Sequence, residues 1–115
     1  MLPGPDLDAE IARKVLGIVL VCDTETDQYR LRDVNNRKWL PLPAYSTDET
    51  LARQLVNDFV ALGCSVLMTD REDGTWAVDI SAPGSKISIG SVGNTLPHAI
   101  CTSVLQFSKF SNLSR

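Results

Sequence analysis

His98 and Cys101 come closest to a recognisable chemical pair in this chain, three residues apart on what reads as one helix. That spacing makes them neighbours on a helix surface, where an imidazole can take the proton of a thiol and leave a nucleophilic thiolate. A nucleophile also needs an orienting group and an oxyanion site, and no third partner stands out in the sequence. The pair therefore reads as a packing cysteine beside a histidine near a helix start. No catalytic residue is expected, and the chain reads as a non-enzyme.

Two further groups suit anions. Gly90-Ser91-Val92-Gly93-Asn94-Thr95 precedes a helix whose free N–H groups can receive a phosphate, and Gly90 and Gly93 would let it approach the backbone closely. Lys86 adds charge nearby, but neither the Walker lysine pattern nor the full G-x-G-x-x-G fingerprint is present. The other group is Arg30, Arg32, Arg37 and Lys38 beside Trp39, with Tyr45 a few residues later. Guanidiniums with aromatics suit phosphates, bases or an acidic protein surface. The plainer account is a solvated strand face paired with Asp23, Asp27 and Asp33. Asp23, Glu25 and Asp27 alternate as hard-cation ligands would, yet lack the glycine and terminal Glu of an EF-hand loop, so a solvated acidic turn is expected. With one His and no Cys pair, neither a metal nor a cofactor is expected.

Composition bounds these readings. The chain has 115 residues, 43% hydrophobic and 22% charged, which fits one globular domain over 1–115. The net charge of -3 is too mild to indicate a polyanion partner. All fourteen acids lie between Asp6 and Asp79, whereas residues 80–115 carry Lys86, Lys109, Arg115 and no acid. Small anions suit that last third, but three spread cations supply too few phosphate contacts for long nucleic acid. Cys22, Cys64 and Cys101 have no paired spacing, which fits buried thiols in a reducing cytoplasm better than a disulfide framework. The start lacks the n-region and h-region of a signal peptide. Val15–Cys22, the longest apolar stretch, falls far short of the ~20 residues that span a bilayer, so no membrane partner is expected.

The elements that must position these groups are legible. Asp6 suits the cap of a helix carrying Leu7, Ile11 and Val15 and stopped by Gly17. Ile18–Cys22 reads as a buried strand, and Gln28–Arg32 and Lys38–Leu40 as a hairpin about Asn35-Asn36, with Pro41 and Pro43 closing the second strand. Ser46 with Glu49 forms a capping box for a helix over 47–62 with Leu51, Leu55, Val56, Phe59 and Val60 on one stripe and Gly63 at its end. Cys64–Thr69, Thr75–Ile80 and Lys86–Ile89 read as a three-strand meander with a turn at Asp73-Gly74. Thr95 and Pro97 open a last helix buried through Leu96, Ile100, Val104 and Leu105. Residues 1–5 and 109–115 are expected to fray. The order α-β-β-β-α-β-β-β-α implies an α+β layered sandwich, a mostly antiparallel sheet of five or six strands covered by helices. The second half also resembles the order of a double-stranded-RNA module, but its last helix starts without a basic cluster.

Ala44-Tyr45-Ser46-Thr47-Asp48 with its following helix, Leu96-Pro97-His98-Ala99-Ile100-Cys101, and Lys14-Val15-Leu16-Gly17 resemble the phage ABA sandwich domain of small bacteriophage and prophage proteins. The resemblance runs from Asp6 to Phe107 and departs from the family pattern at Pro41-x-Pro43 and in the Ser-rich tail. It implies a phage accessory protein and no reaction, and it carries over no functional residues. Three functions follow as expectations. The first is a non-enzymatic factor that binds a host protein in the bacterial cytoplasm, as a counter-defence inhibitor would. The second is a binder that sequesters a small anionic nucleotide signal, with a homo-oligomer compatible with it. The third, least supported, is a small hydrolase-like enzyme using Cys101 and His98.

Overall fold

We describe a computed structural model for residues 2–16, 20–23, 28–33, 38–84 and 88–112. The elements follow the expected order: α1 (Pro5–Glu10) continued by a π-helical turn over Ile11–Val15, β1 (Leu20–Asp23), β2 (Gln28–Asp33), β3 (Lys38–Pro41), α2 (Glu49–Ala61), β4 (Ser65–Asp70), β5 (Trp76–Ser81), β6 (Ser88–Gly93) and α3 (Leu96–Asn112). The fold is α+β and every strand pair is antiparallel.

The six strands do not join in one sheet, as the sequence suggested, but form two, β1-β2-β3 and β4-β5-β6. Each is a meander of strands adjacent in sequence, so hairpin closure satisfies the backbone locally and nothing forces a longer pairing. In the second sheet, alternation sorts the residues by face. Val66, Ile80 and Ile89 stand in one cross-strand row and Met68, Val78 and Ser91 in another. Val78 and Ile80 are completely buried, and Val66, Met68 and Ile89 pack against the core. α3 covers β5 and β6 on this face, and α2 lies over β4 and alongside α3. The opposite face carries the rows Ser65-Ser81-Ser88, Leu67-Asp79-Gly90 and Thr69-Ala77-Val92 and is open. The shortest dimension of the fold, 22 Å, suits two layers spaced by about 10 Å.

α3 is the principal wall of the core. Ala99, Ile100, Cys101, Val104, Leu105 and Phe107 are buried along it, and Phe107 meets Phe59 of α2 edge-to-face at 5.7 Å and 89°. Ser103 is fully buried and pins the helix to the sheet, its Oγ donating to the Val78 carbonyl at 2.8 Å and lying 2.9 Å from Ser91 Oγ. The helix runs through Asn112.

α2 begins two residues later than the capping-box reading places it. Asp48, not Ser46, is the N-cap and accepts from Leu51 N–H at 3.2 Å. Its other end is as expected: Gly63 adopts φ +92°, and the N–H groups of Cys64 and Gly63 return to the carbonyls of Phe59 and Val60, the 6→1 and 5→2 bonds of a Schellman motif.

Ser46 serves a longer-range purpose. It is completely buried, and both its N–H and its Oγ donate to Asp8 Oδ1, each at 2.7 Å. Gly4 N–H in turn donates to Ser46 Oγ at 2.8 Å. Asp8, in the first turn of α1, is only 4% exposed. Gly4, not Asp6, is the N-cap of α1, and Pro5 already lies in the helix, so the lead-in is tied down from Gly4 onward. Burial raises the Asp8 carboxyl above 3.8, and the two bonds from Ser46 oppose that rise without cancelling it.

Two outcomes follow. Ser46→Ala removes one donor from a buried carboxylate and the acceptor of Gly4 N–H, and should lower unfolding free energy by about 2–3 kcal/mol in urea titration. Because the folded pKa of Asp8 is raised, the native state binds its proton more tightly than the unfolded chain. Asp8 therefore contributes most below pH 3.8, and its contribution declines as pH rises from there to the folded pKa. The stability of wild type relative to Asp8→Asn should fall across that interval and then level off; a difference rising with pH would contradict the geometry.

Candidate functional site

The structure distributes the candidate residues between core, strand and surface. Thr95 caps α3 as expected, its Oγ1 accepting from His98 N–H at 3.3 Å and its carbonyl from Ala99 N–H at 3.0 Å. Cys101, one turn further on, has no exposed surface. Burial pushes its thiol up to about 12, and the nearby Asp8 charge adds to the rise. A nucleophilic cysteine needs the opposite shift, a thiolate favoured near neutral pH. Cys64 is buried as well, with its thiol also raised by burial. Among the described residues no group of three or more His, Cys, Asp or Glu is placed to hold a metal ion.

The glycine run is not a loop. Gly90 and Gly93 lie in β6, where Gly90 pairs with Asp79 and Gly93 with Trp76, leaving only Asn94 and Thr95 between strand and helix. Strand geometry takes over because the alternation Ile89, Ser91, Gly93 places each of these toward α3. Gly93 is buried, and a Cβ there would come within 2.7 Å of Ala99 N and 3.1 Å of His98 Nδ1. Its lack of a side chain therefore serves the close approach of α3 to the sheet. Gly90 lies on the open face, where a Cβ would fall on the Asp79 carboxylate. Asn94 and Thr95 are exposed at the helix start, and Lys86 lies outside the described residues.

In the first hairpin, Arg30 and Arg32 stand on β2 and Lys38 and Trp39 on β3. The register sets Arg32 opposite Trp39, Arg30 opposite Pro41 and Lys38 opposite Asp33. Arg37, the Asn35-Asn36 turn, Gly17, and Glu25 and Asp27 of the acidic turn lie outside the described residues. Tyr45 does not join a surface with them. It belongs to the core at 9% exposure, beside the Asp8 clasp, and its hydroxyl is raised first by burial and then by the Asp8 charge.

An acid of the first helix and a cation of the last one lie within electrostatic reach of each other. Glu10 Oε2 pairs with Lys14 Nζ at 2.8 Å and its Oε1 with Arg13 at 3.4 Å, and the Glu10 carboxyl is held below its ordinary value by the Lys14 bond, with further help from the charges of Arg13 and Lys109. Lys109, from the acid-free last third, thus faces an acid of the first helix.

Two features escaped the sequence reading. The Asp8–Ser46 clasp joins residues 38 apart and has no local signature. The open face of β4-β5-β6 presents Leu67 at 63% and Val92 at 47% exposure around Asp79. Alternation places Val66 and Met68 on the covered side and leaves Leu67 outside it, as the structure has it, but no local pattern shows that the other side stays bare.

No family model matches the chain, and no curated protein matches it. A solved structure does: a phage protein from Bacillus cereus ATCC 14579, 27% identical, with a TM-score of 0.66. The chain is similar to a phage protein. The match covers 91% of this chain and 90% of that one, so it includes both sheets and the helices between them and is not a shared fragment.

Gly93→Ala should cost about 1–3 kcal/mol in thermal or urea unfolding, because strand β6 or the first turn of α3 must move to admit the methyl group. Cys101 should resist iodoacetamide at pH 8 in the native protein and alkylate in denaturant, as peptide mass spectrometry would report. Native labelling at Cys101 would contradict its burial.

Proposed function

We propose that this chain is a phage- or prophage-encoded accessory protein, of the phage ABA sandwich kind, that works in the bacterial cytoplasm by binding a host protein. A counter-defence inhibitor is the role we assign it. One observation carries the reading: the end-to-end likeness to the Bacillus cereus phage protein at 27% identity. The geometry supports a binding role in two ways. Cys101, the residue best spaced for nucleophilic work, is sealed in the core with its thiol pushed up to about 12. The open sheet face, in contrast, offers apolar side chains to solvent without a covering helix.

No described helix is long and apolar enough to cross a membrane, in keeping with a binding partner reached from solution. An anionic nucleotide is the competing ligand. With Gly90 and Gly93 in a strand, the phosphate cradle on which that reading leaned shrinks to the two residues before α3. The test is affinity capture of the tagged protein from host lysate, with proteins and metabolites analysed in the same eluate. A host protein at near-stoichiometric yield is expected; a co-purifying nucleotide without a protein would reverse the assignment.

A further inference from the structure

The open face of β4-β5-β6 has a composition that selects its occupant. Leu67 and Val92 are 63% and 47% exposed, Thr69 and Ala77 share a row with Val92, and a row of serines closes one end. Among the described residues of the three strands, Asp79 on the central one is the charge this face carries. Among the described residues no basic side chain pairs with it. Gly90 stands directly across from Asp79, and because a Cβ at that position would fall on the carboxylate, the glycine lets the carboxylate lie down across the face. The charge is thereby held over β6, the strand that also carries Val92, with Leu67 on the other flank of β5.

We propose that this face is the docking surface for the host partner, and that the partner presents apolar side chains around one guanidinium or ammonium group that meets Asp79. The inference rests on the host-binding reading and adds where and by what chemistry the partner is held. Charge complementarity decides the occupant. Covering Leu67 and Val92 removes the water that solvates Asp79, and an unpaired carboxylate under an apolar cover is strongly destabilising, so the cover must bring a cation. A second copy stacked centrally on this face brings Asp79 against Asp79 instead, a like-charge contact that opposes association. Anionic lipid and nucleic acid are repelled for the same reason. A planar guanidinium fits best, since it can lie along the carboxylate and stack on the sheet beside it.

The test compares stoichiometric capture of the host protein by wild type with capture by Leu67→Asp, Asp79→Lys and Asp58→Lys. The last makes the same charge change on an exposed position of α2. Asp79→Lys and Asp58→Lys change positions with solvent access and should melt at the wild-type value, whereas Leu67→Asp sets a like charge directly across from Asp79 and should melt lower, so Leu67→Ser serves if Leu67→Asp does not fold. Capture should fall about tenfold or more for Leu67→Asp and Asp79→Lys, as central contacts of an interface do, and hold for Asp58→Lys. A photo-crosslinker at position 67 then locates the partner's basic residue, and reversing that residue to Glu should restore binding to Asp79→Lys. Undiminished capture by both face variants overturns the docking surface while leaving the host-binding reading in place. Self-association that Leu67→Asp abolishes, or crosslinking at 67 to a second copy, overturns it in favour of a homodimer. Failure of wild type to capture any host protein removes the reading and the inference together.

Discussion

A carboxylate buried against a serine holds this fold together. Asp8 Oδ1 receives two hydrogen bonds from Ser46, and Ser46 receives one from Gly4, so the first helix and the segment leading into α2 are fastened by three bonds in one small volume. A buried carboxylate tolerates few alternatives to such pairing, which makes the arrangement selective as well as cohesive. Ser46 is thereby committed away from capping, and Asp48 takes the role. Tyr45 is drawn into the core beside it, and the Cys101 thiol beneath feels the same charge. The position of α1 and the start of α2 trace to that contact, and its charge adds to the rise that burial gives the core cysteine.

The second constraint is the seating of α3. Ser103 fixes its height above the sheet through the Val78 carbonyl, and Gly93 sets how closely its first turn approaches β6. Phe107 then fixes its distance from α2 through one edge-to-face contact. Because these three contacts occupy one face of β4-β5-β6, the other face keeps no structural duty. The exposed Leu67 and Val92 stand on that other face, while the half-buried Val66, Met68 and Ile89 stand on the covered one. The alternation of the strands thus separates the packed side chains from the exposed ones.

Most of the architecture was legible because it is encoded locally. Alternation marked β5, a helical stripe with Gly63 marked α2, and Thr95 with Pro97 marked the start of α3. Apart from the split of the strands into two sheets, the failures come from a packing contact overriding a local pattern. Ser46 and Glu49 make a good capping box on paper, but Asp8 outbids a helix terminus for the hydroxyl because a buried carboxylate gains more from it. Gly90 and Gly93 look like a phosphate loop, yet each is a glycine because something packs against it: Asp79 in one case, α3 in the other. The sequence separation of Lys109 from the acids likewise hid that its charge reaches Glu10. The phage setting was legible only as a resemblance, and the Bacillus cereus protein supports it at the level of phage origin and fold.

The seating of α3 also sets an order of events during synthesis. Both meanders can close their hairpins as soon as they leave the ribosome, since every strand pairs with its sequence neighbour. The buried side of the second sheet stays wet until Leu96–Asn112 has been made, because that helix is its main cover. Until then the nascent chain carries Val78 and Ile80 in the open, together with Leu67 on the reverse side. The burial of the second sheet is thus completed by the segment of the chain that is synthesised last.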